Sequence, residues 1–235
     1  MRIDWEGWAM RHVFKAFLVS LLLSGVALAA PYGTYDLRAS IVPADPASGR
    51  PEAADGAYLQ RVISDLYDHA GSYPPKFDSK PDQERALRDA AVLLKAMPLF
   101  AEELPEDQPL QYAAAAVGAV AHNLDIPGGD AVAMKYFGRL LALNPEHPLG
   151  NQLFGVHLAG SNRARQGLPY LLKAQSLGVV ESSYSLCMAY LALGDRQSAV
   201  ASLERFVAQR PEDQKAVKLL QALRDERTRV EVKNK

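Results

Sequence analysis

Two stretches of this chain, GGDAVAMKYFGRLLALNPEH over 128–147 and GDRQSAVASLERFVAQRPED over 194–213, carry the same landmarks at the same offsets. Aligned on Gly128 and Gly194, Ala133 falls on Ala199, Phe137 on Leu203 and Pro145 on Pro211, every pair 66 residues apart, twice a period of 33. That recurrence constrains the fold more than composition does. A unit of about 33 residues is too short to bury its own apolar face and must stack on copies of itself.

The segments between the landmarks have the period of helices. Leu59, Val62, Ile63, Leu66 and Tyr67 recur at spacings of three and four and share one helix face. A second helix is expected over 82–104, and Pro98 is expected to kink or divide it by removing a donor and crowding the preceding turn. Three helix pairs follow, over 107–124 with 129–143, 148–160 with 164–177, and 181–193 with 197–209. A last helix over 212–227 offers Val217, Leu220 and Leu223 to cover the end of a stack. No segment alternates with the period of a strand, so the predicted architecture is all-α.

The three pairs resemble tetratricopeptide repeats on Leu186-Cys187, Tyr190, Gly194, Ala199, Leu203 and Pro211 in the third pair, and Val120-Ala121, Leu124, Gly128, Ala133, Phe137 and Pro145 in the first. The middle pair keeps Phe154-Gly155, Leu158 and Leu171, loses the closing proline, and ends in KAQSLGVV, which is similar to a Sel1-type repeat. The resemblance covers 110–213 and implies a right-handed solenoid of helical hairpins. An irregular N-terminal hairpin over 57–106 precedes three repeats over 107–211, and a capping helix with a charged tail over 212–235 follows. Small residues at Ala121, Gly155 and Cys187 are expected to let paired helices approach. Gly128 and Gly194 are expected to take the left-handed turn between helices.

Residues 1–29 have the pattern of an export signal. Arg11 and Lys15 precede the apolar run FLVSLLLSGVALAA, with Ala27 and Ala29 at a cleavage motif and Met10 as the natural start. Val26 stands where a lipid-bearing cysteine would be required. The run from Phe17 to Ala30 is short for a bilayer span, so the expected location is the periplasm, with no membrane insertion after cleavage. The stretch over 30–56, rich in proline and alanine, is expected to be a linker or a loosely docked arm.

A formal charge of −1 supplies no basic stripe for nucleic acid. Cys187 is the only cysteine, which excludes an intramolecular disulfide; at a small-residue position it is expected to fill space in the core. His122 and Asp125 lie three apart on one helix face, and His147 and His157 stand alone. No spacing of the H-x-x-x-H or C-x-x-C kind accompanies them. No phosphate-binding, dinucleotide or nucleophile-elbow motif occurs. The chain is therefore expected to be non-catalytic, with no cofactor and no metal.

In the register of the resembled family, the first helix of each pair lines a concave groove. The positions are Gly118, His122 and Asp125, then Gln152, Val156 and Ala159, then Tyr184, Met188 and Leu191. The resemblance implies a scaffold or adaptor of the bacterial cell envelope that binds a protein or peptide with apolar or aromatic anchors. Two other readings stay open: a small-ligand carrier with its pocket at Tyr184 and Met188, and a metal-dependent hydrolase using His122, Asp125 and His157. Since the last helix is polar on one side, a monomer is expected.

Overall fold

The computed structural model describes residues 31–42 and 53–225. The expected signal peptide over 1–29 and the tail over 226–235 lie outside the described residues. The chain forms two compact units, 1–136 and 137–235. Helix α1 (Gly56–Ala70), α2 (Lys80–Glu103) and α3 (Gln108–Asn123) belong to the first unit. Helix α4 (Gly129–Leu143) contains the boundary. The second unit holds α5 (Pro148–Gly160), α6 (Ala164–Ser176), α7 (Glu181–Ala192), α8 (Arg196–Gln209) and α9 (Gln214–Arg224). The expectation of no strand is corrected in one small respect. Strand β1 (Ile41–Val42) pairs antiparallel with β2 (Ala53–Ala54), with Ile41 opposite Ala54.

Neighbouring helices pack in sequence order. In the first unit α1 and α2 both lie against α3; in the second, α5 to α9 pack each on the next, and α5 also touches α7. Helix α3 is buried from Leu110 through Ala121 without interruption. A helix enclosed on all sides must let its neighbours approach closely, which accounts for alanine at 113–116, 119 and 121. The second unit has two apolar clusters, Ala164, Leu171, Leu186 and Ala189, and Cys187, Ala199, Leu203 and Phe206 with Ala216, Leu220 and Leu223 of α9. Arg196 ties the end of α9 down by donating to the Leu223 and Asp225 carbonyls.

The helix starts follow from capping chemistry. Asp55, Ser79, Asp107, Asp195 and Asp213 each accept a backbone N–H from the first turn of α1, α2, α3, α8 and α9. His147 does the same for α5, its Nδ1 accepting from Gly150 N at 2.9 Å. Burial lowers the His147 pKa from 6.5, and a hydrogen bond to its own backbone offsets this only in part. The unfolded chain therefore takes up the proton first, and stability falls as pH drops below about 6.5. Urea unfolding at pH 7.5 and 5.0 is expected to show a smaller acid loss in His147→Asn than in the parent. Equal losses would exclude this contribution.

Of the two effects expected of Pro98, division does not occur: α2 runs on through it to Glu103. Four helix ends share another device, a residue in the left-handed region that lets the following N–H reach back across the last turn. They are Asp125 after α3, Asn162 after α5, Gly178 after α6 and Gly194 after α7. The back-bonds Ile126 N to Ala121 O, Arg163 N to Leu158 O, Val179 N to Ala174 O and Asp195 N to Tyr190 O measure 2.9 to 3.1 Å. Gly194 thus takes the predicted role. Gly128 does not end α3: Asp125 does so three residues earlier, and Gly128 leads into α4 instead.

Counting from these ends gives a consistent frame. Seven residues before Asp125, Asn162 and Gly194 stand Gly118, Gly155 and Cys187. All three are buried, and the first two face the next helix closely. A methyl at Gly118 would lie 2.4 Å from Ala133 N, and one at Gly155 would lie 2.6 Å from Leu171 Cγ. Gly138, within α4, is the opposite case, with nothing within 4 Å of the added methyl. Gly138→Ala is expected to stabilise the protein by about 0.5–1 kcal/mol, seen as a higher urea midpoint. A lower midpoint would mean that the position is packed.

Candidate partner-binding surface

Helices α5 and α7 carry the predicted groove positions of the second unit. Gln152 is 7% exposed, and a chain of hydroxyls holds it. Its Nε2 donates to Ser185 Oγ at 2.8 Å, and its Oε1 accepts from Ser182 Oγ at 2.7 Å. The Ser185 hydroxyl donates in turn to the Glu181 carbonyl at 3.2 Å. Both polar ends of Gln152 are satisfied across the α5–α7 contact. The side chain fixes how the two helices sit together, as buried polar groups with complete partners do.

The apolar positions divide. Val156 packs against the Ala164, Leu171, Leu186 and Ala189 cluster. Tyr184 and Leu191 pack against the cluster around Cys187, with the Tyr184 ring edge-on to Phe206 at 5.4 Å. Burial, then the Cys187 and Asp213 charges, push the Tyr184 hydroxyl pKa upward. Tyr184 therefore packs in the α7–α8 contact while part of it stays exposed. Met188 is half-exposed and belongs to neither cluster. Met188 on α7 and Val156 on α5 are both partly exposed.

In the first unit the predicted positions fall differently. Gly118 is buried against Ala133, a correction to its place in the groove. Its physical cause is the three-residue difference in where α3 ends. Counted from Asp125, the positions matching Tyr184, Met188 and Leu191 are Ala115, Ala119 and His122, of which the two alanines are buried. His122 is half-buried in the last turn of α3. Asp125 is exposed, and its backbone holds the left-handed turn.

His157 is 5% exposed beside Phe137, with Arg163 3.4 Å from its ring nitrogen. Among the described residues no group of three or more His, Cys, Asp and Glu side chains converges on a point that would hold a metal. Burial raises the Cys187 pKa to about 11, so the side chain is a thiol at neutral pH. No helix of the described residues is long and apolar enough to cross a membrane.

A second constellation lies in the first unit and has no counterpart in the sequence reading. Tyr32 is 1% exposed, and its hydroxyl donates to Asp89 at 2.9 Å. Its ring meets His69, Phe77 and Tyr35 edge-on, while His69 and Phe77 stack at 5.5 Å. Asp65 Oδ2 accepts from Gly33 N at 2.9 Å and from Tyr35 Oη at 2.7 Å. Arg85 donates to the Tyr32 and Gly33 carbonyls. Residues 32–35 are thus bonded through main chain and side chain alike, and this part of 30–56 is firmly docked on α1 and α2 rather than a free linker.

Compared with known proteins, the chain matches no family model, no curated protein and no solved structure.

Proposed function

We propose that this chain is a non-catalytic binding module, a tetratricopeptide-like stack of helical hairpins that docks a partner protein of the bacterial cell envelope. The observation that carries this reading is the shared frame of α3, α5 and α7. Each has a small residue seven positions before a left-handed end, at Gly118, Gly155 and Cys187. The contact of α5 with α7 supports it, since first helices of successive hairpins lie side by side in a solenoid.

The ligand class follows from the surface. Met188 and Val156 offer apolar area beside the satisfied Gln152–Ser185 pair, with Glu181 held by Arg210 at 3.2 Å on the same stretch of α7. An extended or helical peptide with one or two apolar anchors suits such a face. Met188→Arg places charge on a partly exposed position outside both clusters; Val156→Arg also touches the Ala164 cluster, so its helicity and urea midpoint are compared with the parent's first. In pulldowns from envelope extracts, a partner retained by the parent and lost by more than about tenfold in both variants supports the proposal. Equal retention by all three proteins overturns it.

A further inference from the structure

We propose that the outer face of α2 joins two copies of this chain as an antiparallel homodimer. Val92 and Leu99 are 51% and 65% exposed, and their separation of seven residues puts them two turns apart on one side of the helix. A single exposed leucine needs no explanation; two large apolar groups in line on a regular helix form a patch that favours a partner. Ala96, beside the stripe, is partly exposed.

The charges at the ends of the stripe identify the occupant. Arg88 is exposed one turn before Val92, and Glu103 is exposed one turn after Leu99. The apolar pair and the charged pair share one midpoint, between Lys95 and Ala96. A two-fold axis through that midpoint, with the helices antiparallel, sets Val92 against Leu99 of the second copy. It also sets Arg88 opposite Glu103, and both pairings occur twice. Parallel pairing would place Arg88 on Arg88 and Glu103 on Glu103, which is repulsive. Sliding the antiparallel pair by one turn, so that Val92 faces Lys95, brings Glu84 opposite Glu103.

Glu102, next to Glu103, is already engaged: it accepts from Lys135 and from Tyr136 Oη. Lys95 is exposed beside the axis, and in the proposed dimer the two copies must keep their ammonium groups in water, which limits affinity. A contact built on one helix face is smaller than the ~800 Å² per partner of a standard interface, so the dimer is expected to dissociate on the order of micromolar concentration. This replaces the monomer expected from the last helix, and it is independent of the α5–α7 surface.

Thiol trapping in the full chain tests both the contact and its register. Cys187 is fully buried and serves as a silent background. On mild oxidation in cells, Lys95→Cys is expected to give a covalent dimer on a non-reducing gel. Arg88→Cys and Glu103→Cys, co-expressed, are expected to give a mixed dimer well above that of either alone. Adding Leu99→Glu to Lys95→Cys is expected to reduce the dimer roughly tenfold, with helicity by circular dichroism unchanged. The proposal is overturned if Lys95→Cys gives no dimer, or links only to a different protein. Insensitivity to Leu99→Glu, or self-linking of Arg88→Cys equal to the mixed pair, overturns it as well.

Discussion

Gly118→Ala is expected to lower stability by about 2 kcal/mol, where the same change on an open helix face raises it by about 0.5–1 kcal/mol. The sign is the informative part. The added methyl would stand 2.4 Å from Ala133 N, 2.9 Å from Ala133 Cα and 3.0 Å from Gly129 O. All three are main-chain atoms of α4, so no rotamer change relieves the clash and the two helices must separate. Gly155→Ala is milder, because its closest neighbours are Leu171 Cγ and Cδ2 at 2.6 and 2.7 Å, atoms of a side chain that can turn. Urea unfolding of both variants checks the order. An unchanged or raised midpoint for Gly118→Ala would return this residue to an open surface.

Tyr32→Ala is expected to remove about 3 kcal/mol, the range for a buried aromatic cut back to alanine. The loss combines ring packing on His69 and Phe77 with the Tyr32–Asp89 hydrogen bond, and it leaves the Asp89 carboxylate, already raised in pKa by burial, without its donor. Tyr32→Phe keeps the ring and is expected to lose only about 1–2 kcal/mol. Because the side-chain hydrogen bonds described for 32–36 run to α1 and α2, the damage is expected to be local. Hydrogen exchange at Gly33 and Asp36 is expected to accelerate strongly in Tyr32→Ala while α8 and α9 keep their protection. Uniform acceleration across both units would show that the arm is integral to a single cooperative fold.

The helices were legible because their signals are local. Apolar spacing, an Asp or Ser before a first turn, and Pro81, Pro109 and Pro148 at helix starts set the boundaries to within two or three residues. The left-handed ends were legible only where glycine marks them. Asp125 and Asn162 take the same conformation with a side chain attached. Alignment on Gly128 therefore slid the first pair by three residues and moved Gly118 from a helix contact to a groove. Tyr184 was ambiguous for another reason: an aromatic at that position suits a ligand face and a helix contact equally, and only the placement of Phe206 decides.

The sequence left residues 30–56 as either a linker or a loosely docked arm, and the contacts that dock it were not legible. Its partners Asp65, Arg85 and Asp89 lie 30 to 57 residues away in sequence. A stretch without helical period carries no local sign of them. The Gln152–Ser182–Ser185 chain is similar: three ordinary polar residues on two helices become a specifying contact only when α5 and α7 are side by side.

The central claim is that the α5–α7 face around Met188 is a docking surface. The most direct measurement is photo-crosslinking in intact cells with a probe in place of Met188, and a control probe at Arg165, exposed on α6. A discrete adduct at Met188 that is absent at Arg165 and disappears on Val156→Arg is the expected result. No adduct at Met188, or the same adducts at both positions, would contradict the account.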